Sequence, residues 1–103
     1  MQELEKKINK NSFEYSLHTR GKNAFIYEQK GKDAFGKIQT FAFEVFRKIV
    51  DPEKEVFNTV YPERERFPAN EDFGKWAWSI REEDRAIKKF NDVEEGKIEI
   101  ETT

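Results

Sequence analysis

The sequence predicts an α+β domain: a small antiparallel sheet of four to five strands, one main C-terminal helix packed on one face, and a short N-terminal helix. Three observations carry this reading. Residues 13–30 alternate apolar and polar side chains around the turn-forming segment RGKN, the pattern of a β-hairpin. TFAFEVFRKIV, residues 40–50, is the longest apolar run and is apolar at both parities, as a central strand with a helix on one side must be. SIREEDRAIKKFNDVEEG, residues 79–96, places a helical apolar stripe between a serine and a glycine.

Taken in order, Leu4 and Ile8 stand four apart among lysines and glutamates, a short helix over residues 1–10. In the first strand Phe13, Tyr15 and Leu17 share one face, and Glu14, Ser16 and His18 share the other. Gly21 and Asn23 tolerate the positive φ of a tight reversed turn, and AFIYEQK forms the second strand. KGKDAFGK, residues 30–37, reads as a loop. Beyond it, Phe41, Phe43, Val45 and Ile49 lie on one strand face, and Ala42, Phe46 and Val50 on the other, until Pro52 stops the run. Residues 51–72 hold all three prolines and many charges, and are expected to be a long irregular loop, with EVFNTVY a short strand inside it.

FGKWAWSI resumes the alternation, with Trp76, Trp78 and Ile80 on one face and Lys75, Ala77 and Ser79 on the other. Ser79 then opens a capping box with Glu82, and Glu82, Glu83 and Asp84 suit the positive end of the helix dipole. Lys88 and Lys89 favour its negative end. Ala86, Ile87, Phe90 and Val93 form the buried stripe, Gly96 stops the helix, and KIEIE, residues 97–101, is a last short strand.

Composition limits the function. The chain of 103 residues is one domain, residues 1–103, with 10 phenylalanines in a sequence that is 36% hydrophobic and 39% charged. Such a chain folds around a thin core of bulky rings; an aromatic content of 15% argues against disorder despite the charge. Lys+Arg 19 against Asp+Glu 21 gives a net charge of −2, without the basic excess of a dedicated nucleic-acid binder. With no cysteine, disulfides, thiolate metal sites and cysteine nucleophiles are excluded. No apolar run resembles a signal peptide or a membrane span, so a cytoplasmic protein without membrane contact is expected.

Catalytic and cofactor chemistry find no constellation. His18 is the single histidine and falls on the polar strand face. Ser12, Ser16 and Ser79 lack the glycines of a nucleophile elbow, and Glu71–Asp72 and Glu82–Asp84 lack the spaced oxygens of a calcium loop. KGKDAFGK lacks the spacing of a phosphate-binding loop. No cofactor, metal or catalytic residue is therefore assigned. The tryptophans read as core against Phe43, Ile87 and Phe90; the rival reading is an exposed stacking platform.

The order Y-P-E-R-E-R-F-P-A-N-E-D, F-G-K-W-A-W-S-I and then a helix ending A-I-K-K-F resembles small uncharacterised proteins of bacterial and phage genomes, over roughly residues 41–93. That resemblance implies no activity or site residues. A second likeness is to WGR-type nucleic-acid-binding domains, in the aromatic strands before the helix. Their signature is absent, Gly74-Lys75-Trp76 having the wrong order. The expectation is a non-enzymatic protein-binding module, of the kind a phage or mobile element uses to modulate a host protein. Its surface would be built from Tyr61, Arg64, Arg66 and Phe67 in the long loop. The alternatives are a nucleic-acid-binding module, using Lys22, Lys30, Lys32 and Lys37 with Tyr27 and Phe35, or a structural assembly subunit.

Overall fold

The computed structural model describes residues 1–97 and is α+β. Strands β1 (Lys7–Lys10), β2 (Phe13–Arg20), β3 (Ala24–Lys32), β4 (Ile38–Arg47) and β9 (Ala77–Ile80) form one antiparallel sheet in the order β1-β2-β3-β4-β9. Between β4 and β9 the chain leaves this sheet and makes β5 (Ile49–Asp51), β6 (Lys54–Val56), β7 (Thr59–Tyr61) and β8 (Arg64–Arg66), then a 3₁₀ turn over Asn70–Asp72. The helix α1 (Glu83–Glu94) crosses one face of the sheet. Among the described residues no helix is long and apolar enough to cross a membrane.

The predicted hairpin over 13–30 is β2–β3, and the apolar run is β4 only as far as Arg47, with apolar side chains on both faces as expected. Ile49 and Val50, expected to continue those two faces, lie instead in β5, which pairs with β8 outside this sheet. Toward α1, Ile26, Phe43 and Val45 meet Ala86 and Val93, with Trp78, Ile80 and Phe90 closing the edges. On the other face Tyr15, Phe25, Tyr27, Phe46 and Ala77 form a second cluster, covered by Leu4, Ile8, Phe67 and Phe73. Its rings interlock: Tyr27 stacks on Phe46 at 5.7 Å, and Phe67 stands edge-on to both, at 5.6 and 5.2 Å. Each large ring removed from water contributes about 1.5–3 kcal/mol, so the few apolar residues suffice because they are large.

Several expectations are corrected. Residues 1–10 are no helix: β1 pairs with β2, Ile8 lying opposite Tyr15. Asn11 and Ser12, at φ 53° and 69°, turn the chain in two residues, and a short charged helix has too few bonds to compete with a ladder. Asn23 does not adopt a positive φ, and neither does Gly21. Gly21 is needed for clearance, because a Cβ there would collide with the Glu94 carboxylate and come within 2.8 Å of the Phe90 ring. Glu94 in turn accepts from the backbone N–H groups of Lys22 at 2.6 Å and Asn23 at 2.8 Å, which ties the end of α1 to the β2–β3 turn.

Ser79 is not the helix cap. It stays in β9, where its hydroxyl donates to Glu44 Oε1 at 3.3 Å. The helix starts at Glu83 after Glu82, without a side-chain cap, and Lys88 and Lys89 lie before its last turn. Gly96, at φ 74°, does end it, with Lys97 N–H donating to Asp92 O at 2.8 Å. Ile87 is exposed, one position off the buried stripe. Trp76 stands in the turn before β9, half-buried under the Arg47 guanidinium at 5.3 Å. Trp78 is half-buried against the α1 core, with Lys89 Nζ 4.1 Å from its ring. Ala77, expected on a polar face, is wholly buried in the aromatic cluster. The proposed final strand at 97–101 lies outside the described residues but for Lys97.

Residues 51–72 are not an irregular loop. β5 pairs with β8, and β6 with β7, so the chain runs out and back as one interrupted hairpin. Pro52–Glu53 faces Pro62–Glu63 between the two ladders. Neither proline has an N–H for a ladder, so pairing lapses there on both strands at once. At the tip Phe57 and Asn58 sit at φ 49° and 63°.

Candidate protein-binding surface

The base of the hairpin arm is fixed by one buried carboxylate. Glu65 on β8 receives both guanidinium nitrogens of Arg20, each at 2.7 Å, and the N–H of Leu4 at 2.9 Å, with Lys48 Nζ at 3.4 Å. The hydrogen-bonded Arg20 guanidinium, more than any other group, holds the Glu65 carboxyl down at about 2. One side chain thus joins the arm to the end of β2, to the β4–β5 junction and to the N-terminal segment. Gln2 adds to the outside of β8, its N–H donating to Glu63 O at 3.0 Å and its C=O accepting from Glu65 N–H at 2.8 Å.

Above that base the arm is exposed, and several of its exposed side chains are apolar or aromatic. Lys54 lies directly across from Tyr61, and Val56 is two residues further along the same face. With Pro52, Pro62 and Arg64 they line a groove of about 360 Å³, rimmed by Gln2 and Asp51. Phe57 at the tip is 97% exposed, Val60 58% and Tyr61 49%, although β-branched and aromatic residues of this kind normally serve cores.

Two of the four expected contact residues, Tyr61 and Arg64, come together in this groove. The other two do not. Arg66 is half-buried and occupied inside the fold, 3.2 Å from both Asp51 Oδ1 and Asp72 Oδ2. Phe67 belongs to the aromatic core, 4.9 Å from Tyr15. Alternation along β8 explains this, since it turns Glu65 inward and the chain enters the core at Phe67 and Pro68. Val56, Phe57 and Val60 were missed; the signal was the β-branched pair flanking Phe57-Asn58, hidden by the prolines on either side.

The expected nucleic-acid set is dispersed. Tyr27 is fully buried and its hydroxyl donates to Glu5 O at 2.8 Å, so no base can stack on it. Lys22 lies in the turn before β3 and Lys32 at the far end of that strand, roughly 25–30 Å away along extended chain. Lys30 pairs with Glu28 at 3.6 Å. Only Lys32, Phe35 and Lys37 remain together, at the exposed β3–β4 turn that Asp33 organises by accepting from the N–H groups of Phe35 and Lys37.

One titratable group departs from its expected polar face, and another is buried without a full set of partners. His18 is half-buried on the helix side of the sheet, edge-on to Phe43 and 3.1 Å from Glu83 Oε2. Glu44 is buried opposite Ser79 and Tyr27, and its Oε2 has no hydrogen-bond partner. Burial pushes its carboxyl up to about 7, against the smaller lowering effect of the Ser79 hydroxyl. Among the described residues no group of His, Cys, Asp and Glu could hold a metal ion. Comparison with protein-family models, with curated proteins and with solved structures finds no match for this chain.

Proposed function

We propose that the protein is a binding module that engages a partner protein through the hairpin arm of residues 49–66, and that it is not an enzyme. The observation that carries the reading is the placement of Val56, Phe57, Val60 and Tyr61 outside the core on an element braced by the Glu65 cluster. Aromatic and apolar side chains on a braced support are what an interface needs at its centre, and Lys54 and Arg64 suit its rim. The partner that fits offers an apolar side chain to the groove between Tyr61 and Val56 and a carboxylate to Arg64.

A photoreactive benzoylphenylalanine at position 57, in the cell that expresses the protein, tests this. One cross-linked partner in stoichiometric yield is expected from position 57, and none from position 39 on the opposite end of the molecule. Equal or absent cross-linking at both positions in repeated experiments defeats the proposal.

A further inference from the structure

We propose a second docking site, separate from the arm: the groove between the outer edge of β9 and α1, which takes an extended acidic peptide segment as an added strand. β9 is the last strand of the sheet, and among the described residues its outer side is met only by the single parallel bridge of Phe73 to Ala77, with no strand beyond it. Arg47 N–H donates to Trp76 O at 2.8 Å, which fixes the alternation that follows. Trp78 and Ile80 turn their backbone groups toward β4, and Ala77 and Ser79 turn theirs outward. The carbonyl of Ala77 is occupied, accepting from Gly74 N–H at 2.8 Å. Ser79 offers both an N–H and a C=O to the groove, and the hydroxyl of the same residue is already engaged with Glu44.

The groove holds about 640 Å³, enough for a few residues of extended chain. One helical stripe, Arg85, Lys88, Lys89 and Asp92 at the i, i+3, i+4, i+7 spacing, forms its wall, and Phe73 and Trp78 its apolar floor. Three cations face one carboxylate there, on a chain whose net charge is −2. Arg85 has only the exposed Glu82, at 3.7 Å; Lys89 lies over the Trp78 ring, 4.1 Å from its centroid, and neither Lys88 nor Lys89 enters an ion pair among the described residues. This wall is complementary to an acidic partner. A nucleic-acid backbone is also acidic, but it has no N–H to satisfy the Ser79 carbonyl at strand spacing, whereas a peptide supplies donor and acceptor from one residue. Alternate residues of an added strand would meet different surroundings: those on the helix side meet Lys88 and Lys89, and those on the opposite side meet Phe73. The segment that fits therefore alternates acidic and apolar residues.

The test uses the full chain and a fluorescently labelled peptide of alternating glutamate and valine. Expected are saturable binding that weakens steeply with salt, slowed hydrogen exchange at Ser79 N–H, and at least a tenfold loss of affinity in Lys88→Glu/Lys89→Glu. Arg85→Glu, on an exposed position, should lose several-fold, and serves if the double variant misfolds. A peptide with proline at each valine should bind weakly, since it cannot donate. Undiminished binding by the proline peptide or by the charge-reversed variants overturns the proposal. So does tighter binding when Glu99 and Glu101 of the chain itself are replaced by lysine, which would assign the groove to the chain's own segment. Concentration-dependent self-association that the peptide fails to compete away would assign it to a second copy, and also overturns it. The arm variant Phe57→Asn should bind the peptide as wild type does, so failure here and failure of the arm reading are told apart.

Discussion

Glu44 and Glu65 are both buried carboxylates, and their surroundings push them in opposite directions. Glu65 has Arg20 and Lys48 and titrates at about 2, below the 4.5 of an unperturbed glutamate. Its contribution is present above 4.5 and is lost as the pH falls through 4.5 toward 2. Glu44 has only Ser79 and titrates at about 7. Between 4.5 and 7 the folded chain keeps a proton that the unfolded chain has released, so stability declines as the pH rises through that window, by up to about 3 kcal/mol. The two together place maximum stability near pH 4.5. Urea unfolding across pH 2–8 checks this, and Glu44→Gln should abolish the decline above 4.5 while leaving the acid limb intact. Glu65→Gln should cost roughly 2–4 kcal/mol at pH 7, because it strands Arg20 beside a neutral partner. Neither role was legible in the sequence. Glu44 follows Phe43 and precedes Val45 in a strand that looks two-sided, and nothing local says which glutamates point inward.

Among the elements, those with a strong period were readable and those built by pairing at a distance were not. β2, β3 and β4 follow from alternation, and the α1 stripe of Ala86, Phe90 and Val93 from the helical period. Ser79 satisfied every local requirement of a cap, yet its place in the β4–β9 ladder opposite Glu44 holds it in the strand, so the helix begins uncapped four residues later. The arm was misread because prolines at 52 and 62 look like breaks when taken singly, and only their facing positions reveal a paired interruption. The anchoring of α1 depends on clearance at Gly21. Gly21→Ala should push Glu94 off the Lys22 and Asn23 amides and cost about 1–3 kcal/mol, read as a lower Tm. Trp78→Ala, which strips the edge of the α1 core, should cost about 2–4 kcal/mol, and more than Trp76→Ala, whose ring lies in the turn outside the buried cluster.

The whole molecule measures 48 × 37 × 25 Å, with a radius of gyration of 15.1 Å. A compact chain of this length has about 13 Å. The elongation fits an arm that leaves the sheet at the β4 end, opposite the β3–β4 turn. Limited proteolysis should cut first between residues 53 and 63, and the nicked protein should remain folded by circular dichroism, because the tip shares no side chain with either core cluster. Of the four residues expected to form one surface, Tyr61 and Arg64 do line one groove on the arm, but only the fold shows that Arg66 and Phe67, two and three residues beyond Arg64, belong to the interior.

Phe57 occupies a backbone conformation, φ 49°, that suits asparagine or glycine, and its ring, 97% exposed, gains nothing from packing. A bulky side chain in the left-handed region costs about 1–2 kcal/mol. As a tether between two strands the residue is a poor choice, and asparagine would serve the turn better. Phe57→Asn should therefore raise Tm and stabilise the domain by about 0.5–1 kcal/mol while weakening capture of the partner. A gain in stability matched by a loss of binding would mark this one position as a compromise between two selective demands, with the fold accepting a standing handicap so that an aromatic ring is held out into solvent.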